Sequence, residues 1–327
     1  MAVDVAAIGP FFCIGLAWIE RRHRNIEAGE MGRRLATWCM ILLGVGIGLG
    51  LVMAAILWLN GDDRFFAGLQ RIPQRRLGFG VAELVFYLLC MLAYRGLWRA
   101  PRCPAWLHSL FGLAAGTNLL YHFPVLFTVI RLAGSGRSLP QTASGHVDVV
   151  HAMLLPESLA RLAHHVAAAV VVSGVFVLWL TNRPPRRAAD GKSSRRLGAW
   201  AARIALAAAL LQVPLGGYLL MQIPTAIRNE LLGRDLAATA LLAVGVVAAI
   251  GLMHHLATAA WGEATTREIA RSTLLVALVM LMMVAAERRA RQVAEPPVHR
   301  LASQADPHSS LAVVTDFVLQ ESPLHGN

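Results

Sequence analysis

Hydrophobic positions in this chain gather into eight long blocks, at about residues 3–19, 36–59, 79–98, 106–132, 159–181, 199–221, 236–261 and 270–286. A helix rises about 1.5 Å per residue, so roughly 20 apolar residues cross a hydrocarbon layer of about 30 Å. The pattern predicts an all-α fold, a polytopic transmembrane helix bundle of about eight spans. Most connections are short, and the longest runs from 133 to 158. Residues 1–286 form the bundle, and residues 287–327 form a polar, proline-containing tail with one apolar stretch, SSLAVVTDFVLQ.

Irregularities inside the blocks carry further expectations. Asp4 and Pro10 trouble the first span, and Asp4 reads as an N-terminal flank. Pro124 and Pro214 read as kinks, because a proline has no N–H to give the carbonyl four residues earlier. For Pro124 that carbonyl is Leu120's. Gly44, Gly46, Gly48 and Gly50 make two overlapping G-x-x-x-G pairs at mid-membrane, the pattern of close helix–helix packing.

Composition agrees with the blocks. Of 327 residues, 56% are hydrophobic and 15% charged, which excludes an ordinary soluble domain. The net charge of +11 sits in short loops. Residues 20–35 hold Arg21, Arg22, Arg24, Arg33 and Arg34, and residues 95–105 hold Arg95, Arg99 and Arg102. The loop NRPPRRAADGKSSRRLG holds Arg183, Arg186, Arg187, Lys192, Arg195 and Arg196. With eight spans these loops share one side, which the positive-inside rule makes cytoplasmic. Both termini and the tail then lie outside, although Glu287-Arg-Arg-Ala-Arg291 runs against the rule. The expected place is the cell membrane, of bacterial inner-membrane type, and no nucleic-acid partner is needed to explain the charge. The chain opens with no cleavable leader pattern, since the arginines follow the first apolar block. Cys13, Cys39, Cys90 and Cys103 show no C-x-x-C pair and read as small apolar residues, without covalent haem attachment.

Ionisable side chains at membrane depth are costly and usually face the bundle interior with a partner. Here they fall into two layers. Toward the outer face lie Glu83, His122, His164 and His165, with Tyr218, Met221 and Gln222 closing span six. Toward the inner face lie His254 and His255, with His108 as an interface residue. His146 and His151 sit in the outer loop as surface histidines. Asn118 and His122 share a helix face with Tyr121 adjoining, and Arg161 and His165 share another. Two imidazoles from facing helices suit axial ligation of haem b, and Arg161 suits its propionates. For His254 and His255 the competing role is a hydrogen bond to Thr258. Glu83 suits a proton relay, a quinol hydrogen bond or a buried salt bridge with Arg75, Arg76 or Arg161.

YHFPVLFTVI resembles the haem-ligand helix of subunit I of cytochrome bd-type quinol oxidases. LARLAHHVAAAVVVSGVFVLWL is similar to a later helix of that family, and VAELVFYLL to its membrane glutamates. The resemblance is local and out of order, since Glu83 here precedes His122. It implies haem b ligation by His122 with His164 or His165, Glu83 near a haem or proton path, and Met221 as a further ligand.

The expected function is a b-type cytochrome-like electron-transfer subunit, linking a quinol to an extracytoplasmic cytochrome-like partner beside other membrane subunits. The alternatives are a non-catalytic membrane scaffold or assembly subunit, and a transporter of a metal ion or solute.

Overall fold

Arg24, in the left-handed region at φ 52°, turns the chain between α1 (Ala2–His23) and α2 (Ile26–Leu59). Asn25 caps α2 by accepting from the Ala28 amide at 3.1 Å. The expected loop at 20–35 is therefore mostly helix. Its arginines stand on helix ends, where long stems snorkel while the guanidinium stays in water. The computed structural model describes residues 1–60, 63–98, 103–135, 138–182, 192–262 and 265–294, apart from the side chains of Asp63, His122 and Lys192. The remaining helices are α3 (Asp63–Gln70), α4 (Gln74–Leu97), α5 (Ala105–Gly134), α6 (Val149–Met153), α7 (Pro156–Thr181), α8 (Lys192–Gln222), α9 (Thr225–Asn229), α10 (Leu236–Ala260) and α11 (Thr266–Ala294). Eight of them are long and apolar enough to cross a membrane, and the fold is all-α. The chain is a multi-pass membrane protein.

The described residues form two compact units. The first holds residues 1–223 and 246–280. In it α1 is the hub, packed against α2, α5 and α7, with α4 on α5 and α8 on α7. Pro10 lies inside α1 and cannot donate to the Ala6 carbonyl. The Tyr87 hydroxyl of α4 takes that carbonyl at 2.6 Å. The two preceding carbonyls also receive side chains: Cys39 of α2 donates to Val5 at 3.5 Å, and Ser173 of α7 to Asp4 at 3.3 Å. Three helices are thus fastened to three consecutive peptide groups of α1.

Hydrogen bonds near helix ends set the register. Trp98 Nε1 donates to Glu20 at 2.8 Å, Asn25 Nδ2 donates to Ser193 at 2.8 Å, and Thr266 donates to Asn182 at 3.1 Å. These contacts bring the described ends of the three arginine-bearing connections to one end of the unit, as the spacing of spans predicts. Pro124 does not end α5, which runs on to Gly134. The long connection after α5 is not bare loop. It carries α6, anchored where Val147 N–H donates to Arg71 at 3.0 Å and Ser158 donates to Ala152 at 2.8 Å.

The second unit holds residues 224–245 and, among the described residues, 281–294. After α9 the chain makes a wide turn at Glu230–Arg234, with Gly233 at φ 129°, before Asp235 caps α10. Arg289 of α11 donates to that carboxylate at 2.8 Å. Here α11 extends eight residues past the expected end of span eight, so Glu287, Arg288, Arg289 and Arg291 are helical. The rest of the expected tail, 295–327, lies outside the described residues.

The glycine row of α2 corrects an expectation. Side chains built on Gly44, Gly48 and Gly50 would meet nothing within 4 Å, and only Gly46 lies against a neighbour, Val3. The tight seam is elsewhere. A Cβ at Gly174 of α7 would stand 2.7 Å from Ala205 Cβ and 3.0 Å from the Ala201 carbonyl of α8. Spacing alone says which glycines share a face, not which face meets a helix. We predict that Gly174→Leu lowers stability by about 1–3 kcal/mol or more through overpacking, while Gly48→Leu stays within about 0.5 kcal/mol. Thermal unfolding in detergent measures both, and a reversed order would restore α2 as the packing seam.

Candidate functional site

Helix α7 presents its two adjacent histidines to different neighbours, because residues one apart on a helix do not share a face. His165 turns to α1, with Nε2 3.5 Å from Asp4 Oδ1. The other oxygen of Asp4 lies 2.6 Å from the Met1 amino group. Asp4 is only 4% exposed, so it is a buried partner and not the flank its position suggests. A buried carboxylate needs such partners, since an unpaired charge in a low-dielectric interior costs several kcal/mol.

His164 turns to α8. A Cβ on Gly216 would lie 3.5 Å from His164 Cε1 and 3.8 Å from Nδ1, ordinary contact that places the imidazole beside this turn of α8. Pro214 sits two residues before that glycine, within a helix that continues to Gln222. On α5, His122 lies one turn beyond Asn118, and its side chain is outside the described residues. Asn118 itself reaches α4, donating to the Glu83 carbonyl at 3.0 Å. Tyr121 is 60% exposed and faces away from the core.

Two other candidates, Arg161 and His108, are engaged within the protein. Arg161 is buried and donates twice to Glu157 Oε1, from Nε at 3.1 Å and Nη2 at 2.9 Å. That pair occupies the guanidinium expected to meet propionates. His108 lies in the first turn of α5 and packs against the end of α4. It is buried, stacked on Tyr94 at 3.9 Å, and its Nε2–H donates to the Tyr94 carbonyl at 3.0 Å. The carbonyl lies in the last turn of α4, where intrahelical donors run out. Thr258 donates to the backbone carbonyl of His254 at 3.2 Å and not to its ring. His254 is exposed, while His255 Nδ1 is shielded from solvent with no partner among the described residues. Met221 is 71% exposed. His146 and His151 are exposed, and His151 lies 2.7 Å from Asp148. That hydrogen bond holds the Asp148 carboxyl below its ordinary range. No three His, Cys, Asp or Glu side chains among the described residues cluster as metal ligands.

Two cavities accompany these groups. One, of about 210 Å³, is lined by Arg76, Phe79, Gly80, Glu83, Leu126, Val149 and Met153. The other, of about 430 Å³, lies among α1, α2, α7 and α11 with an almost wholly apolar lining that includes Val5, Leu42, Val175 and Trp179. Such a surface suits lipid chains.

No protein-family model matches the sequence, and no curated protein matches it. Among solved structures, the fold is similar to a chain of the bd oxidase from Geobacillus thermodenitrificans, with a TM-score of 0.65. The match covers 89% of this chain and 82% of that chain at 14% sequence identity, a likeness of fold. Asp4, Gly80 and Gly216 are the site residues that reading the sequence passes over. An acid four residues into an apolar helix that also holds Pro10 is the available signal for the first.

We predict that Asp4 and His165 are coupled. A double-mutant cycle of Asp4→Ala and His165→Ala should return about 0.5–3 kcal/mol, while Asp4→Ala with His254→Ala should be additive within about 0.5 kcal/mol. Thermal unfolding of the four proteins measures the term, and a coupling indistinguishable from zero would dissolve the pair.

Proposed function

We propose that the chain is a b-type cytochrome-like electron-transfer subunit of a quinol-linked membrane complex, with haem b held by His164 of α7 and His122 of α5. The observation that carries the reading is the division of labour on α7. Asp4 engages His165 from α1, and His164, on the neighbouring face beside Gly216 of α8, is the imidazole we assign to an iron. The likeness of fold to a bd oxidase chain supports the same direction. The donor chemistry fits in part: neutral imidazole is a suitable axial ligand, whereas Arg161 is already satisfied by Glu157 and is no propionate anchor in this arrangement. When bound, haem supplies a one-electron couple. The chain's own part is to orient the imidazoles and to exclude water with the apolar packing of α1, α5 and α7.

The transfer of a function from that fold is an analogy, because one fold hosts many functions. A second reading, a non-catalytic membrane scaffold, draws support from the packing roles of His108, Asn118 and Arg161. One measurement separates them. Reduced-minus-oxidised absorption of protein purified from haem-replete cells should show a b-type α-band. His164→Ala and His122→Ala should abolish it, and His165→Ala and His108→Phe should retain it. A folded protein with no such band is the scaffold.

A further inference from the structure

As consecutive spans, α10 and α11 run in opposite directions, and within the first unit a Cβ built on Gly251 would stand 3.7 Å from Leu275 Cδ1. That contact marks the seam between them, packed on one side and open on the other. Leu252, Leu256 and Ala259 of α10, with Ser272 and Val276 of α11, are buried on the inner side. On the outer side of α10, Val247, Ile250, His254 and Trp261 are exposed at spacings of three, four and seven, so they share a face. On the outer side of α11, Arg267, Arg271 and Leu274 are exposed at spacings of four and three and share a face in the same way. Counted in opposite directions from Gly251 and Leu275, His254 falls level with Ser272, so it stands beside Arg271 across the seam. The result is a lipid-facing furrow, apolar along Val247, Ile250 and Leu274 and basic at one end. That end is the arginine-rich end of the unit, where Thr266 meets Asn182.

We propose that this furrow holds one phospholipid with an anionic headgroup. Its phosphate is taken by Arg267, Arg271 and His254, and its acyl chains lie along Val247, Ile250 and Leu274. Charge argues first. Arg267 and Arg271 are exposed and meet no acidic partner among the described residues. The carboxylate of Glu268 is folded back on the start of α11, accepting from the Thr265 amide at 2.9 Å. An arginine on a lipid-facing span is least costly where its stem reaches the headgroups. A phosphate there accepts the paired N–H groups of the guanidinium. His254 adds a ring N–H at the same level, because its neighbour His255 turns Nδ1 inward, away from solvent. The apolar length of the furrow argues next. Its branched aliphatic wall is covered by an acyl chain and gains nothing from a free phosphate. Trp261 marks the boundary, where an indole rests its ring in lipid and its N–H among headgroups. The lipid thus bridges α10 and α11 on the side that their own packing leaves open.

The assignment is independent of the electron-transfer reading. Its test titrates the full-length protein, purified in detergent and stripped of lipid, with phosphatidylglycerol, and native mass spectrometry counts the lipids retained. The wild type should hold its first phosphatidylglycerol about tenfold or more tighter than phosphatidylcholine, the sum of two arginine contributions. Arg267→Gln and Arg271→Gln should each weaken that first association about fivefold, the attraction of one basic residue for an anionic lipid. Arg195→Gln combined with Arg196→Gln removes two exposed arginines from the same end of the unit and should bind as the wild type does. Each protein serves as its own reference through its phosphatidylcholine binding, so a general loss of folding cannot imitate the effect. Equal binding of the two lipids by the wild type overturns the site. So does an Arg267→Gln, Arg271→Gln double variant that loses no more than the Arg195, Arg196 pair. Displacement of the lipid by an equal concentration of inorganic phosphate overturns it too, because the acyl chains would then contribute nothing.

Discussion

Three consecutive peptide carbonyls near the start of α1 hold the first unit together. In hydrocarbon no water is present to satisfy a backbone group, so a proline in a spanning helix must be answered by a neighbour. Pro10 leaves the Ala6 carbonyl without its intrahelical donor, and Tyr87 reaches across from α4 to supply one. Cys39 and Ser173 add donors at Val5 and Asp4 from α2 and α7. An isolated hydrogen bond of this kind contributes only about 1 kcal/mol net, but leaving a buried carbonyl unmet costs more. The arrangement therefore acts by exclusion, since packings of α4 that remove Tyr87 from Ala6 are penalised. Small residues let it happen: Gly9 lies directly against the Cys39 sulfur, where a larger side chain would hold α2 away.

The same rule explains the fate of the polar side chains at depth. Those that can be met by a helix end or a neighbouring carbonyl are used that way. His108 meets the Tyr94 carbonyl, Asn118 meets Glu83, and Arg203 donates to the Ala260 carbonyl at the end of α10 at 3.0 Å. Arg161 and Glu157 satisfy each other within one turn of α7. Other polar groups at depth are His164 beside Gly216, the Asp4–His165 pair and the polar face of α4 beneath α6.

Helix number and type were legible in the sequence because a spanning helix must be long and apolar along its whole length, whatever it packs against. The ends were not, because arginines at 21–34 belong equally well to loops and to helix ends that reach into water. Facing was the least legible property. The glycine row of α2 has the spacing of a packing seam, yet three of its members stand open, while Gly174 draws α7 onto α8 with no motif around it. Asp4 looked like a flank because sequence places it near a boundary, and only the path of α7 brings His165 to it. Within the HH pair on α7, spacing says that the two rings diverge but cannot say which neighbour each one meets.

The low identity to the bd oxidase chain is itself informative about what preserves this fold. A bundle whose backbone is satisfied within each helix asks little of most side chains beyond apolarity and fit, so 86% of aligned positions can differ while the course of the helices is kept. Function is held by a much smaller set. Moving one buried hydrogen-bonding group by a turn leaves the architecture intact and removes the site. The chemistry therefore has to be argued from Asp4, Arg76, Glu83 and His164 in their own surroundings, and the likeness of fold supplies only the scaffold on which they meet.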